Sequence, residues 1–140
     1  MADLESLIKY RNHQLDEKKK VLGNLFKEIE KLNLSKRNLL NNLEEEKKIS
    51  QKDMNLETNS FFGAYAESVM KKVELINTAL QNLETRIAIA QEDVRSSFAE
   101  LKKIEITDRN RKDLELKESN RKENNDLDEM GLNIYSRKDN

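Results

Sequence analysis

The sequence predicts an all-α fold, a long antiparallel two-helix coiled-coil hairpin with a C-terminal single-helix extension. The first observation is a pair of apolar ladders whose steps alternate between four and three residues, which is typical of helices that pack along one seam. The second is the absence of Pro and the presence of only 3 Gly among 140 residues. Sandwiches, barrels and doubly wound sheets need frequent tight turns, which depend on such residues. We therefore expect a single coiled-coil domain over residues 1–140.

The first arm of the hairpin is predicted from about residue 3 to about residue 54. Its ladder has twelve positions between residues 4 and 43, and nine of them are apolar. The polar exceptions are Arg11, Lys18 and Lys36. The apolar residues that we expect on the seam between the arms are Leu4, Ile8, Leu15, Leu22, Leu25, Ile29, Leu32, Leu39 and Leu43.

The second arm is predicted from about residue 62 to about residue 112. Twelve of the thirteen positions of its ladder are apolar, and Ser97 is the exception. A strict repeat of 3.5 residues held this long implies left-handed supercoiling against a partner helix. The seam residues expected here are Phe62, Ala66, Val69, Val73, Ile76, Leu80, Leu83, Ile87, Ala90, Val94, Leu101 and Ile104.

A turn is predicted between the ladders, at about residues 55–61. Asn59 and Ser60 favour turns and helix N-caps because their side chains bond nearby backbone N–H groups. If the chain reverses near residue 58, the numbers of facing residues sum to about 116. Both ladders obey this rule, for example at Ile29 with Ile87. Lys18 then falls opposite Ser97, and we interpret this polar layer as a marker of register.

Residues from about 113 to 140 are predicted to form a charged helical extension, frayed beyond Gly131. The apolar ladder has stopped, and opposite charges recur four residues apart, as in Asp113 with Lys117 and Glu118 with Lys122. Each such pair supports a helix by only about 0.2–0.5 kcal/mol. Because the segment buries little by itself, we expect it to become ordered on binding a partner.

The polar residues do not predict an enzyme, a cofactor site or a metal site. His13 is the single histidine and lies among polar residues, without the further ligands that a metal needs. Adjacent carboxylates on a helix point in different directions, and no Gly-rich phosphate loop is present. Lys plus Arg is 26 and Asp plus Glu is 27, a balance that argues against nucleic-acid binding.

The composition also favours the cytoplasm. The chain has no Cys, so nothing indicates an oxidising compartment. Its apolar runs are too short for a transmembrane helix. The acidic first residues do not resemble a secretory signal, and we expect none.

Three aromatic residues, Phe61, Phe62 and Tyr65, are concentrated near the predicted turn. The seam requires only Phe62. One interpretation is that all three close the end of the hairpin. The other is that they form an exposed patch for a partner, because aromatic residues anchor interfaces. The sequence leaves both interpretations open.

Four stretches of the chain resemble flagellar export proteins of the FliJ family, closest to its alphaproteobacterial branch. They are residues 4–11, residues 15–19, residues 93–105 and residues 121–130. The last begins at Arg121-Lys122 and closes with Leu127-Asp128-Glu129, an element that is similar to the C-terminal part of that family. The resemblance covers nearly the whole chain.

This resemblance implies a non-enzymatic component of the flagellar type III protein export apparatus, at the cytoplasmic face of the basal body. Family members resemble the stalk of rotary ATPases and associate with the export ATPase ring, the cytoplasmic domain of the export gate and export chaperones. Contact with the membrane is then only indirect, through the basal body. Compared with the family pattern, the chain uses Lys and Asn in place of Arg and has a rather short tail.

The resemblance also suggests two binding surfaces. The ring-facing end would include residues 1–20 and about 104–140, with Arg11, Lys18, Arg109, Arg111, Arg121, Lys122, Leu127, Asp128 and Glu129 as candidates. The gate-facing surface would include Phe61, Phe62, Tyr65, Val69, Val73 and Ile76. Val69 and Val73 also belong to the seam and cannot fully serve both roles.

The residues alone leave a different class of protein open. The chain could be a generic structural coiled coil, for example a parallel homodimer of one long helix. It could also be a helical-hairpin chaperone similar to a prefoldin subunit, although that family has a β-hairpin and the sequence has no strand pattern.

Overall fold

The computed structural model describes residues 4–52 and 56–138, and every one of them is helical. Helix α1 is Leu4–Lys52, with 49 residues, and helix α2 is Leu56–Lys138, with 83 residues. The two helices pack against each other as a hairpin, and the described residues contain no strand. The prediction of an all-α two-helix hairpin is therefore confirmed.

Burial along α2 follows the predicted ladder residue by residue. Every ladder position from Phe62 to Ile104 is buried or half-buried. On α1 the same holds for every ladder position except Lys18, which is exposed. Ser97, the polar position predicted to share a layer with Lys18, is half-buried. The removal of these apolar side chains from water is the main force available to hold the hairpin together.

The chain divides into two compact units, and both helices contribute to each. Unit 2 consists of Gln14–Ser96. Its core is a cluster of buried residues, and three half-buried residues of α1 pack against it. The buried members are Leu25, Leu83, Ile87 and Ala90, and the half-buried ones are Leu22, Ile29 and Leu32. Ile29 and Ile87, which were predicted to face each other, thus belong to one packed region.

Unit 1 consists of Met1–His13 and Ser97–Asn140. Leu101 is its most deeply buried residue among those that the structure describes, and Ile8 and Ile104 are half-buried. An ion pair joins the two helices here, between Arg11 Nη1 and Glu100 Oε2 at 3.0 Å. From residue 109 to residue 137 every side chain is exposed although the chain remains helical, and we call this segment the exposed extension.

The turn predicted at about residues 55–61 overlaps the start of helix α2. Helix α2 begins at Leu56, so residues 56–61 are helical. Residues 53–55, like residue 3 and residues 139–140 of the predicted elements, lie outside the described residues. Asn59 does not start the helix, because α2 begins three residues before it. Its amide oxygen instead accepts a hydrogen bond from Ser50 Oγ across the hairpin at 2.9 Å.

The register between the two helices also differs from the prediction. The numbers of Ser50 and Asn59 sum to 109, and those of Arg11 and Glu100 sum to 111, below the predicted 116. When one ladder is shifted by seven residues against the other, apolar residues still face apolar residues. The ladders alone therefore could not determine the sum of facing residue numbers. At its other end α2 continues past Gly131 as far as Lys138, in place of the predicted fraying. One helical Gly costs only about 1 kcal/mol relative to Ala.

Candidate partner-binding surfaces

Unit 2 carries a groove beside the turn, which we call the turn-end groove. It has a volume of about 380 Å³ and is open to solvent. The seven residues that line it are Glu46, Ile49, Ser50, Thr58, Phe61, Phe62 and Tyr65. The hydrogen bond from Ser50 to Asn59 ties the two helices together at this end, and Ser50 is buried. The groove is therefore built on a fixed pair of helix ends.

The three aromatic residues of the groove divide between the two predicted interpretations. Phe62 is half-buried on the seam and closes the end of the hairpin. Phe61 is 76% exposed, and Tyr65 is also exposed. Phe61 and Tyr65 thus present apolar surface to solvent, the property expected of aromatic interface anchors.

The rest of the predicted gate-facing surface is less accessible. Val69 and Val73 are buried in the contact between the helices, and Ile76 is half-buried. Their side chains support the fold from within and cannot contact a partner unless the helices separate. The predicted surface therefore contains two exposed aromatics and four residues that are partly or fully covered.

The predicted ring-facing residues are mostly exposed. Arg109, Arg111, Lys122, Leu127, Asp128 and Glu129 are all exposed on the exposed extension. Arg121 lies among them and donates a hydrogen bond to Glu118 Oε1 at 2.9 Å. Arg11 is half-buried in its ion pair with Glu100. Lys18 is exposed and belongs to unit 2, whereas the other candidates belong to unit 1.

Charge along the exposed extension is separated into two blocks. Residues 109–122 contain six Lys and Arg against three Asp and Glu, and residues 123–129 contain four Asp and Glu and no Lys or Arg. A second, polar groove of about 400 Å³ lies beside the start of the extension. It is lined by Ile8, Glu105, Asp108, Arg109, Lys112 and Asp113, and Lys112 pairs with Asp108 at 3.0 Å.

The described residues contain neither a metal-ligating group of side chains nor a membrane-spanning stretch. Among the described residues no group of three His, Asp or Glu side chains is arranged to hold a metal ion. His13 is exposed, as the sequence predicts. Neither α1 nor α2, over their described lengths, contains a stretch apolar enough to span a membrane.

Sequence reasoning missed two features. The first is the bond between Ser50 and Asn59, because a Ser beyond the end of the ladder and an Asn next to a predicted turn gave no signal of pairing. The second is a set of exposed apolar residues on the outer face of α2, among them Leu75 and Ile89. Their regular spacing could have revealed them.

Lys102 Nζ also lies 5.3 Å from the centre of the Phe98 ring, a cation–π contact.

The fold and these surfaces define an α-helical coiled-coil hairpin whose exposed side chains are suited to binding other proteins. A family model described as "Flagellar FliJ protein" matches residues 1–140. The chain therefore belongs to the FliJ family of flagellar proteins and is a component of the flagellar export apparatus. Comparisons with curated proteins and with solved structures found no match.

Proposed function

We propose that the chain acts as a stalk that links the export ATPase ring to the cytoplasmic domain of the export gate, and that it assists in handling export chaperones. The observation that carries this proposal is the exposed extension. It is continuous helix from residue 109 to residue 137, and every one of these residues is exposed in the part of the chain that the structure describes. A helix that buries nothing in its own chain is suited to burying its surface in a partner.

The contact with the ring is proposed for unit 1. Arg109 and Arg111 begin the basic block of the exposed extension, and Leu127 lies in the acidic block as an exposed apolar anchor. Ion pairs such as Arg121 with Glu118 lie on the surface and contribute little to stability. Their members can therefore exchange this pairing for partners on the ring at small cost.

The contact with the gate is proposed for the turn-end groove of unit 2. Phe61 and Tyr65 are its exposed aromatics, and Ile49 adds an exposed aliphatic side chain from α1. Val69 and Val73 pack between the helices beneath this surface and do not contact the gate. This restricts the predicted gate surface to the side chains that a partner can reach.

The chain needs no catalytic residue for this role, because ATP hydrolysis would belong to the ring. A single helical stalk in a ring of identical subunits contacts those subunits unequally. That asymmetry is the proposed means by which hydrolysis in the ring is coupled to the gate.

Co-purification of the full-length chain with the export ATPase tests the ring contact. The variant changes Arg109, Arg111 and Lys122 to Glu, and the matched control changes the three exposed α1 residues Lys27, Lys31 and Arg37 to Glu. We expect the extension variant to bind the export ATPase at least about tenfold more weakly and the control to bind it with unchanged affinity. The reason is that complementary charges across an interface contribute to its affinity and specificity. Undiminished binding by the extension variant would show that the ring is held elsewhere.

Binding to the purified cytoplasmic domain of the gate tests the other end. Phe61→Ala removes the most exposed aromatic of the turn-end groove, and Leu56→Ala removes a similarly exposed side chain outside it. We expect Phe61→Ala to weaken binding by about tenfold or more, as loss of an interface anchor does. Equal effects of the two substitutions would refute the assignment of the groove to the gate.

A further inference from the structure

Helix α2 carries an unpartnered row of apolar residues on its outer face within unit 2. Phe61, Leu75 and Ile89 are 76%, 72% and 59% exposed. They are spaced by 14 residues, which is two heptads, so in a coiled coil they share one face. Ser68 and Asn82 occupy the heptad positions between them and are uncharged. We call Phe61, Leu75 and Ile89 the outer stripe.

The outer stripe is bordered by helix α1 in the same way at both of its ends. Ile49 lines the turn-end groove together with Phe61. Val21 lies 28 residues before Ile49, and Ile89 lies 28 residues after Phe61, and both distances are four heptads. The antiparallel packing therefore brings exposed Val21 level with Ile89 on the same edge of the hairpin. The two ends of the stripe match, with Leu75 at the midpoint.

We propose that a second copy of this chain docks on the outer stripe, antiparallel to the first, about a two-fold axis at Leu75. A patch that is symmetric about its own centre is what an isologous dimer requires. In this arrangement Phe61 and Ile49 of one copy pack against Ile89 and Val21 of the other. Leu75 packs against Leu75 of the second copy.

The charges beside the stripe select the antiparallel direction. With the axis at Leu75, Tyr65 meets Arg86 of the second copy, and a guanidinium over an aromatic ring is favourable. Lys72 meets Ala79, and the flanking Ala and Thr side chains are small enough for close approach. A parallel arrangement would instead set Lys72 of one copy beside Lys71 of the other and leave Arg86 beside Thr85, and like charges at an interface are costly.

The size of the stripe sets the strength that we expect. From Phe61 to Ile89 the helix advances about 42 Å, and a contact about 10 Å wide would bury roughly 400 Å² on each copy. Stable complexes bury about 1,200–2,000 Å² in total, so this dimer is weak and forms at high local concentration. It covers Phe61, which the proposed function gives to the gate, so a second copy and the gate would compete for that residue.

Sedimentation of the purified full-length chain over a concentration series tests this proposal without the gate or the ring. We expect reversible dimerisation, weakened at least about tenfold by Leu75→Lys, which sets two cations against each other at the axis. The matched control is Leu34→Lys, the same change at an exposed position of α1 outside the stripe. Circular dichroism verifies that both variants remain helical.

Cross-linking tests the direction, since the chain has no Cys of its own. The variants Phe61→Cys and Ile89→Cys are treated with a short bismaleimide, each alone and mixed. The antiparallel dimer links only the mixture. Linking of Phe61→Cys to itself would overturn the proposal. So would a chain that stays monomeric at every concentration up to about 1 mM. Equal weakening of the dimer by Leu75→Lys and Leu34→Lys would overturn it as well. These outcomes are independent of whether the gate binds Phe61.

Discussion

The core of unit 2 and the exposed extension are both continuous helix, yet different forces hold them. In the core, Leu25 of α1 is buried with Leu83, Ile87 and Ala90 of α2. In the extension no side chain between residues 109 and 137 is covered, and Arg121 with Glu118 is an ion pair on the surface. Burial of one Leu contributes about 1.5–3 kcal/mol, several times what a helical ion pair contributes.

The comparison shows that the two helical segments differ in stability. The core segment is helical because separating the arms exposes apolar surface to water. The extension is helical through intrinsic propensity, the absence of Pro and local ion pairs, and helices of that kind open locally at small cost. The extension is thus the part of the chain that a partner can most easily reshape.

The largest expected effect comes from the same helix-breaking change in each region. Ala88→Pro interrupts α2 at an exposed position beside the buried Ile87, and we expect the free energy of unfolding to fall by about 3 kcal/mol or more. Ser119→Pro interrupts the extension, and we expect lower helical ellipticity with an unchanged midpoint of cooperative unfolding. Urea titrations followed by circular dichroism measure both. A midpoint shift of similar size in Ser119→Pro would mean that the extension is packed.

A second test compares buried and exposed Leu residues on α1. Leu25→Ala should cost about 2–4 kcal/mol, because it removes a side chain that is 5% exposed and leaves a cavity in the core cluster. Leu34→Ala, at a position that is 54% exposed, should change stability by less than about 0.5 kcal/mol. Both values come from urea denaturation at low protein concentration. Similar costs at the two positions would contradict the assignment of Leu25 to the core.

The seam could be predicted from the sequence because burial has few alternatives in a chain of this composition. Each apolar ladder leaves one continuous apolar face, and a two-helix hairpin is the simplest way to cover both faces. Leu25, Leu83 and Ile87 accordingly lie where the ladders place them. The exposure of Lys18 also has a simple reason, because a flexible charged side chain can leave the seam for water.

The turn and the partner surfaces could not be predicted in the same way. Asn59 is as suited to an N-cap as to a bond with Ser50, and only the spatial arrangement distinguishes these roles. A ladder that repeats every seven residues also fits itself after a shift by one heptad, which left the register open. The ladder did predict that Phe62 lies on the seam and Phe61 outside it, but it could not predict that Phe61 and Ile49 line one groove.

The bond between Ser50 and Asn59 gives a smaller, asymmetric effect. Asn59→Ala leaves the buried Ser50 hydroxyl without this acceptor, and we expect a cost of about 1 kcal/mol or more. Ser50→Ala should cost less, about 0.5 kcal/mol, because the exposed Asn59 amide can bond to water instead. Thermal unfolding of both variants and of the double variant measures the coupling. A larger cost for Ser50→Ala would show that packing, not hydrogen bonding, fixes this end of the hairpin.

The smallest expected effect compares two ion pairs of similar length in unit 1. Arg11 and Glu100 join different helices at 3.0 Å, whereas Arg121 and Glu118 lie on one helix of the extension at 2.9 Å. A double-mutant cycle to Ala at Arg11 and Glu100 should give a coupling of about 0.2–1 kcal/mol in global unfolding. The cycle at Arg121 and Glu118 should give none there, and should only lower the helicity of the extension.

Salt separates the electrostatic part of these couplings from packing. At 1 M salt the Debye length falls to about 3 Å, so charges on exposed side chains are largely screened. We expect the Arg11–Glu100 coupling to shrink by about half or more, while the cost of Leu25→Ala stays unchanged because it arises from apolar burial. If the ion-pair coupling survived high salt undiminished, the aliphatic part of Arg11 packed between the helices would be the stabilising group. Arg11 would then add to the apolar burial that Leu101 already provides in unit 1.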